Sequence, residues 1–357
     1  MTTQGLVELT AKLMAIPSVS RNEVEIANWT QQFLSNLPWL EVTRFKNSII
    51  ARTMLGRSER VLMAGHLDTV PPAGNEQPVV DDSGLFGLGS CDMKGGLAVM
   101  LLLAKTHPKP GRDLTFILYS GEEIERSANE LRMLAEKHRD LLECDVAILC
   151  EPTNSRVEAG CQGSIRMQVI IRGTRAHSAR PWMGKNAIHL AAPLISLLGH
   201  EDLHRVPIDG CEFIETSQAV GIQGGVAGNV VPDEVRVTIN SRFAPDKTLD
   251  QAIELLRSRF ISSFQPGDIV EVSVEDATPG APPNLSNPLL KELVEISSQD
   301  PVAKLGLTDV SLFAELGIAA TNFGPGDSGL AHSPKERVEN DDLFKSHECL
   351  SKFIDPT

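Results

Sequence analysis

Cysteine is scarce in this chain: Cys91, Cys144, Cys150, Cys161, Cys211 and Cys349 are the only six among 357 residues, and none forms a C-x-x-C pair. That excludes a thiolate zinc site and a disulfide framework, and it leaves reduced thiols acting mostly as small buried apolar residues. Long apolar runs are missing as well. The longest, Leu97 to Ala104, falls far below the roughly 20 residues of a membrane span. The N-terminus has no basic region followed by an apolar one. The expectation is a cytoplasmic protein without membrane contact. Positive charge is in deficit: 33 Lys and Arg against 47 Asp and Glu leave a net charge of −14. This is the wrong sign for a partner with a phosphate backbone, so nucleic acid is excluded. Internal repeats and low-complexity tracts are absent. The serine-hydrolase elbow G-x-S-x-G does not occur. Gly87-Leu-Gly89 could open a dinucleotide fingerprint, but Asp92 stands at its third glycine position.

What is present is an ordinary globular composition, 41% hydrophobic and 22% charged. The length gives a prior of two domains. Leu6, Leu9, Leu13 and Ile16 recur at helical spacing until Pro17 stops the pattern. Three apolar runs follow: Arg60–Gly65 ends at His66, Leu114–Ser120 ends at Gly121-Glu122-Glu123, and Asp145–Cys150 ends at Glu151-Pro152. Between the first two, Lys94–Lys105 is apolar enough for a buried helix, so the alternation is β-α-β and implies a parallel sheet. In such sheets ligands gather beyond the carboxyl ends of the strands, where these polar residues fall. From about Ser164 the texture changes. Arg166–Arg172 and Glu234–Arg242 alternate like half-exposed strands, while Asn186–Leu198 and Leu249–Phe264 are helical in pattern. After the turn-rich Ala277–Asn284, a helix from Asn287, the run Gly317–Phe323 and a helix from Asn340 resume the first texture. The expected organisation is a discontinuous catalytic domain, 1–163 and 282–357, with a small α+β domain, 164–281, inserted into it.

Taken singly, His66, Asp92, Glu123, Glu151 and His332 each have an ordinary structural explanation. Together, at the run ends of one predicted sheet and in glycine-rich surroundings, they point to a metal site. Two histidines and three carboxylates suffice for two ions if one carboxylate bridges and a position stays open for water. Asp92, a short acid on a tight loop before a helix, suits the bridge. The i, i+2 spacing of His66 and Asp68 keeps both side chains on one side, so Asp68 is expected to hold the second ring nitrogen of His66. Adjacent Glu122 and Glu123 point to opposite faces of a regular strand, so one is a ligand and the other a general base. Glu122 is assigned as base and Glu123 as ligand, although the local pattern alone would allow the exchange.

His66-Leu-Asp68-Thr-Val-Pro, Asp92-Met-Lys-Gly-Gly, Ser-Gly-Glu122-Glu123, Glu151-Pro-Thr, Ala-His177-Ser, Asn229-Val-Val-Pro and Gly-Pro-Gly…Ala-His332 resemble, in order and spacing, the di-zinc aminoacylase and carboxypeptidase family. Glu158-Ala-Gly-Cys-Gln-Gly-Ser, Arg175-Ala-His-Ser-Ala-Arg180, Ser241-Arg-Phe-Ala-Pro and Lys304-Leu-Gly-Leu-Thr-Asp309 look like one actinobacterial branch of it. The resemblance implies an α/β fold, a mixed and largely parallel sheet flanked by helices as in zinc exopeptidases, with a ferredoxin-like α+β lid that makes a homodimer. It implies two Zn2+, with Co2+ or Mn2+ as alternatives, His66 and Glu151 on one ion, Glu123 and His332 on the other, Asp92 bridging, and a cis peptide after Asp92. It further implies hydrolysis of a linear amide by a metal-bridging hydroxide with Glu122 as base, and His177 stabilising the oxyanion in the partner subunit's site. Arg242, Asn229 and Thr308 are its implied substrate contacts, and Arg180 is a further candidate among the arginines.

Two divalent ions, three ligating carboxylates and a hydroxide sum to a nearly neutral cluster. A small anionic N-acyl amino acid with several carboxylates therefore needs arginine, and Arg242 is best placed by motif. Deacetylation of acetylornithine, dipeptide cleavage, and a metal-binding dimer without catalysis are the alternatives.

Overall fold

In the computed structural model, residues 3–200 and 203–356 are described. The chain divides into two compact units. The first takes residues up to Ala159, Pro283–Val302 and the chain from Leu312 onward; the second takes Gly160–Pro282 and Ala303–Ser311.

At the centre of the first unit, Asp113–Tyr119, Arg60–His66, Val146–Leu149 and Ala320–Asn322 lie side by side in that order and run parallel. A hairpin of Glu41–Phe45 and Ser48–Arg52 joins antiparallel at the Asp113–Tyr119 side, and Glu158–Ala159 pairs antiparallel with Ala320–Asn322 at the other. Every side chain of Asp113–Tyr119 and Val146–Leu149 is buried. That explains why these strands read as continuous apolar runs and not as alternating ones. The helix Gly95–Thr106 is buried from Gly95 through Ala104, so it presents no polar face. It packs against the helices Thr3–Met14 and Asn340–Ile354.

The second unit is an antiparallel sheet ordered His204–Ile208, Cys211–Gly224, Glu234–Phe243, Gly163–Arg172, Ile269–Thr278. Without the outermost strand, the chain order is the 4-1-3-2 arrangement of a ferredoxin-like fold. Ile165, Met167, Val169 and Ile171 from one strand and Val235, Val237 and Ile239 from the next point to one face. There they pack with Ala187, Ala191, Leu194 and Phe260 of the helices Ala187–Gly199 and Leu249–Ile261. The helix Leu249–Ile261 starts at a capping box made by Thr248 and Gln251.

The units differ from the expected domain limits at three places. Residues 160–163, 282 and 303–311, assigned from sequence to the catalytic domain, belong to the second unit. Hydrogen bonding decides the last of these: the Gln162 N–H donates to the Lys304 carbonyl at 3.2 Å, and the Cys161 Sγ lies 3.8 Å from the Thr308 carbonyl. That stretch is too short for its periodicity to reveal where it packs. As a consequence, Thr308 falls in the same unit as Arg242 and Asn229.

Candidate active site

The three adjacent parallel strands end level with one another, and each delivers its polar residues just past its carboxyl end. Arg60–His66 terminates on His66, which is 1% exposed. Asp113–Tyr119 leads through Ser120-Gly121 into Glu122 and Glu123. Val146–Leu149 leads into Cys150, whose N–H donates to the Ala64 carbonyl at 2.8 Å, and then into Glu151. Asp92 comes from the loop before the buried helix, and the Asp92–Met93 peptide is cis. A tight approach holds this helix to the strand end that bears Glu151. A Cβ at Gly96 would stand 2.1 Å from the Cys150 carbonyl oxygen, so only glycine fits there.

Among the described residues, the donor atoms that could hold a metal fall into three overlapping groups, each within 4.8 Å: His66 with Asp92 and Glu151, Asp92 with Glu123 and His332, and His66 with Glu122 and Glu123. Asp92 is common to the first two, and its two oxygens diverge. Oδ1 lies 3.0 Å from His66 Nε2 and Oδ2 lies 3.3 Å from His332 Nε2, while His332 Nε2 is 2.8 Å from Glu123 Oε1. A carboxylate that faces a different imidazole with each oxygen can bridge two cations.

Electrostatics supports a cationic occupant. Burial pushes the Asp92 carboxyl up, but hydrogen bonds from His332 and His66 and their charge outweigh it and hold the group below its usual range. The converse acts on the histidines. Burial opposes the charge on His66, yet the Asp92 hydrogen bond and the acids Asp92, Glu151 and Glu122 raise its pKa well above the ordinary value. The hydrogen bond to Asp92 and the nearby Glu123 raise His332 to about 9. The carboxylates thus draw protons onto both rings, as expected of a site whose negative charge exceeds its positive charge. These oxygen and imidazole donors fit divalent ions of the zinc, cobalt or manganese type.

Asp68 corrects the sequence expectation. The His66 Nδ1 lies 2.9 Å from the backbone carbonyl of Asp68, while the carboxylate is 3.8 Å away, too far for a hydrogen bond. The carboxylate is occupied elsewhere. Its Oδ1 accepts from the N–H groups of Gly121 at 2.9 Å and Glu122 at 3.2 Å, and its Oδ2 from the Glu123 N–H at 3.1 Å and the Ser20 hydroxyl at 2.8 Å. Asp68 therefore shapes the loop that carries both glutamates. The pair stands on that loop and not on a strand, so strand alternation does not separate their roles.

Glu336 has no counterpart in the sequence reading. It is 2% exposed, and its Oε1 accepts from the N–H groups of Cys91 at 3.3 Å and Asp92 at 3.2 Å. Burial raises its pKa to about 7, against the pull of the backbone N–H groups. It anchors the turn that presents Asp92. Its one sequence signal is its position four residues after His332.

The remaining candidates lie in the second unit. His177 is exposed on a two-residue strand, Ala176–His177, paired with Val230–Val231, and the adjacent Ser178 N–H donates to the Asn229 carbonyl at 2.9 Å. The His177 Nδ1 accepts the Ala179 N–H at 3.0 Å, so in the neutral ring the proton sits on Nε2. Arg180 is exposed, and its N–H donates to the His177 carbonyl at 2.8 Å. Arg242 is half-buried with its Nη1 enclosed and unpartnered, and Thr308, 7% exposed, has an enclosed hydroxyl without a partner.

The profile of peptidase family M20/M25/M40 matches residues 62–355. The chain belongs to this family. Among relatives, it is 46% identical over 349 residues to a putative succinyl-diaminopimelate desuccinylase of Mycobacterium tuberculosis, covering 98% of this chain and 97% of the relative. It is 42% identical over 354 residues to a succinyl-diaminopimelate desuccinylase of Corynebacterium glutamicum, covering 97% and 95%. Among solved structures, a tripeptidase from Staphylococcus aureus superposes with a TM-score of 0.82 at 23% identity, covering 99% of this chain and 98% of the other. At that identity the likeness speaks for the fold of this M20 member.

Proposed function

We propose that this M20 enzyme is a metal-dependent amidohydrolase that removes succinate from N-succinyl-LL-2,6-diaminopimelate, a step of diaminopimelate and lysine biosynthesis. The observation that carries the metal chemistry is the divergence of the Asp92 oxygens towards His66 and His332. The substrate comes from the two actinobacterial relatives, which match over almost the entire chain. His66 and Glu151 would hold one ion, Glu123 and His332 the other, and Asp92 both, with zinc the first choice and cobalt or manganese compatible. Such ions, when bound, supply Lewis acidity and make water a stronger acid.

Glu122 takes one proton from the attacking water and returns it to the departing amide nitrogen, so one water and one amide become a carboxylic acid and an amine, which part as carboxylate and ammonium once the acid's proton passes to the amine. Asp68 keeps that glutamate in place through the three N–H groups its carboxylate receives. His177, with its proton on Nε2, donates to the amide oxygen as negative charge develops there. Asn229 is fixed beside it. The enclosed, unpartnered donors of Arg242 and Thr308 are suited to substrate carboxylates, because a buried donor gains most from a charged acceptor. Arg180 is a further contact from the His177 loop.

We also assign the second unit as the lid through which the enzyme forms a homodimer, with His177 acting in the partner subunit's site. In support, His204–Ile208 covers only Cys211–Glu215. Among the described residues the outer edge of Gln218–Gly224 is therefore open, and Val220 and Ile222 on it are 60% and 55% exposed. An apolar free edge of that length is a pairing surface. All six cysteines are free, in keeping with a cytoplasmic enzyme. Among the described residues, no helix is long and apolar enough to cross a membrane.

The deciding experiment is a panel of N-succinyl-diaminopimelate, acetylornithine and dipeptides offered to the metal-reconstituted enzyme. The succinyl substrate should have the highest kcat/KM. A preference for acetylornithine or a dipeptide would overturn the assignment.

A further inference from the structure

Trp182 and Met183, at 77% and 67%, are the most exposed large apolar side chains among the described residues. A large exposed apolar pair calls for an occupant, and here it is not the product of a slack loop. Thr174 and Lys185 exchange backbone hydrogen bonds of 2.8 and 2.9 Å and close the segment between them. The Lys185 ammonium pairs with Asp268 at 2.6 Å, and Arg175 grips Asp233 with two bonds of 2.8 and 3.1 Å. Inside the loop, the His177 carbonyl accepts from the Arg180 N–H at 2.8 Å and the Arg180 carbonyl from the Met183 N–H at 3.1 Å. Gly184 shows how closely the stem folds back. A Cβ there would stand 2.5 Å from the Thr174 oxygen and 2.7 Å from the Ala176 Cβ, next door to His177. The loop is one fixed piece carrying His177 and, five residues on, Trp182.

Resting on the activity proposed above, we infer that Trp182, backed by Met183, is a substrate-binding residue that covers the hydrocarbon chain of the acylated diamino acid. Delivery of His177 to the amide oxygen brings Trp182 with it. Five residues span at most about 17 Å when extended, and the two successive turns make the separation shorter. The arginine and threonine donors account for carboxylates but offer nothing to the methylenes between the two amino-acid ends. An indole face supplies that contact with few rotatable bonds to fix.

The test compares N-succinyl-diaminopimelate with N-succinylglycine, which has the same acyl group and no chain. Trp182→Ala should raise KM for the first by roughly 10–100-fold, change its kcat little, and leave kcat/KM for the second within about 3-fold. Trp182→Phe should recover most of the loss. Equal effects on both substrates, or none on either, would overturn the inference. So would dissociation of a wild-type oligomer by Trp182→Ala at equal concentration, because the indole would then serve a subunit contact.

A second readout does not depend on turnover. Trp29 and Trp39 are half-buried, and Trp29→Phe and Trp39→Phe in the Glu122→Ala background leave Trp182 as the sole tryptophan, excited selectively over Tyr119. Saturation with N-succinyl-diaminopimelate, verified by calorimetry, should shift its emission to the blue, and unchanged emission would reject the contact. Should the wild type hydrolyse another amide of the panel instead, the proposed substrate fails on its own, and the same titration with that amide decides Trp182.

Discussion

The two units treat their polar side chains in opposite ways. In the first, the candidate ligands range from buried (His66, Glu151) through half-buried (Asp92, Glu123) to exposed (His332), but four of them are already paired with one another: His66 with Asp92, Asp92 with His332, His332 with Glu123, and the loop of the two glutamates is held by Asp68. In the second, His177, Asn229 and Arg180 are exposed, while Arg242 and Thr308 hold enclosed donors without acceptors. Chemistry that must be positioned to a fraction of an ångström is held by the fold itself. On the proposed reading recognition is left unfinished, and the acceptors that Arg242 and Thr308 lack are ones that a ligand can supply.

If the first unit is built for two cations, stripping metal should abolish turnover, the largest effect expected. Activity should return only when two ions bind per chain, as counted by metal analysis. Full activity with one ion would break the contrast at its centre.

Next in size are the two groups proposed to act on the proton and on the oxyanion. Glu122→Ala should lower kcat by about 10²–10⁴ with metal content unchanged; loss of metal instead would exchange its role with that of Glu123. His177→Ala should be nearly inactive with metals intact. Co-refolding these two variants in equal amounts gives about half heterodimers, in which one of two sites is complete, so about a quarter of wild-type sites should reappear. An inactive mixture with verified heterodimers would place His177 in its own chain's site.

Smaller, and confined to the first unit, is Asp68→Ala. It removes the acceptor of three loop N–H groups and should cost about 10–100-fold in activity or metal affinity, the range of supporting groups around metal sites. Kinetics together with metal titration would separate the two losses. An unaltered enzyme would mean that the loop is held by other contacts.

Smallest is Arg242→Lys. It keeps the charge and loses the fork, and should raise KM for the succinyl substrate more than for a monocarboxylate amide. Equal changes would remove Arg242 as the carboxylate clamp and narrow the contrast between the units.

Much of the first unit was legible because its chemistry sits at strand ends. Apolar runs that stop abruptly at His66, Glu122-Glu123 and Glu151 locate both the sheet and the site, since burial on two faces leaves polar residues only at the ends. The buried helix Gly95–Thr106 was legible for the same reason. Glu336 was not, because an isolated acid gains its role only when the Asp92 turn folds over it. The i, i+2 spacing of His66 and Asp68 gave the right neighbours but the wrong atom, for spacing cannot tell a carbonyl from a carboxylate. In the second unit, Val270, Val272 and Val274 alternate with Glu271, Ser273 and Glu275 in the strand Ile269–Thr278, a period-2 signal that the sequence reading did not use. The hairpin of His204–Ile208 and Cys211–Gly224 has a better signal, Asp209-Gly210, both at positive φ, a two-residue turn pattern that apolar periodicity overlooks.

Asp68 touches the site at two levels, its carbonyl meeting the His66 ring and its carboxylate gathering the N–H groups of Gly121, Glu122 and Glu123. The proposed metal ligand His66 and the proposed base Glu122 are thereby measured from one origin. If the strand ending on His66 and the loop bearing Glu122 shift by a few tenths of an ångström, both groups are carried along together through Asp68 and the gap between them hardly changes. A fold tolerant of such drift can accept mutation in the layers beneath while the distance on which proton transfer depends stays constant.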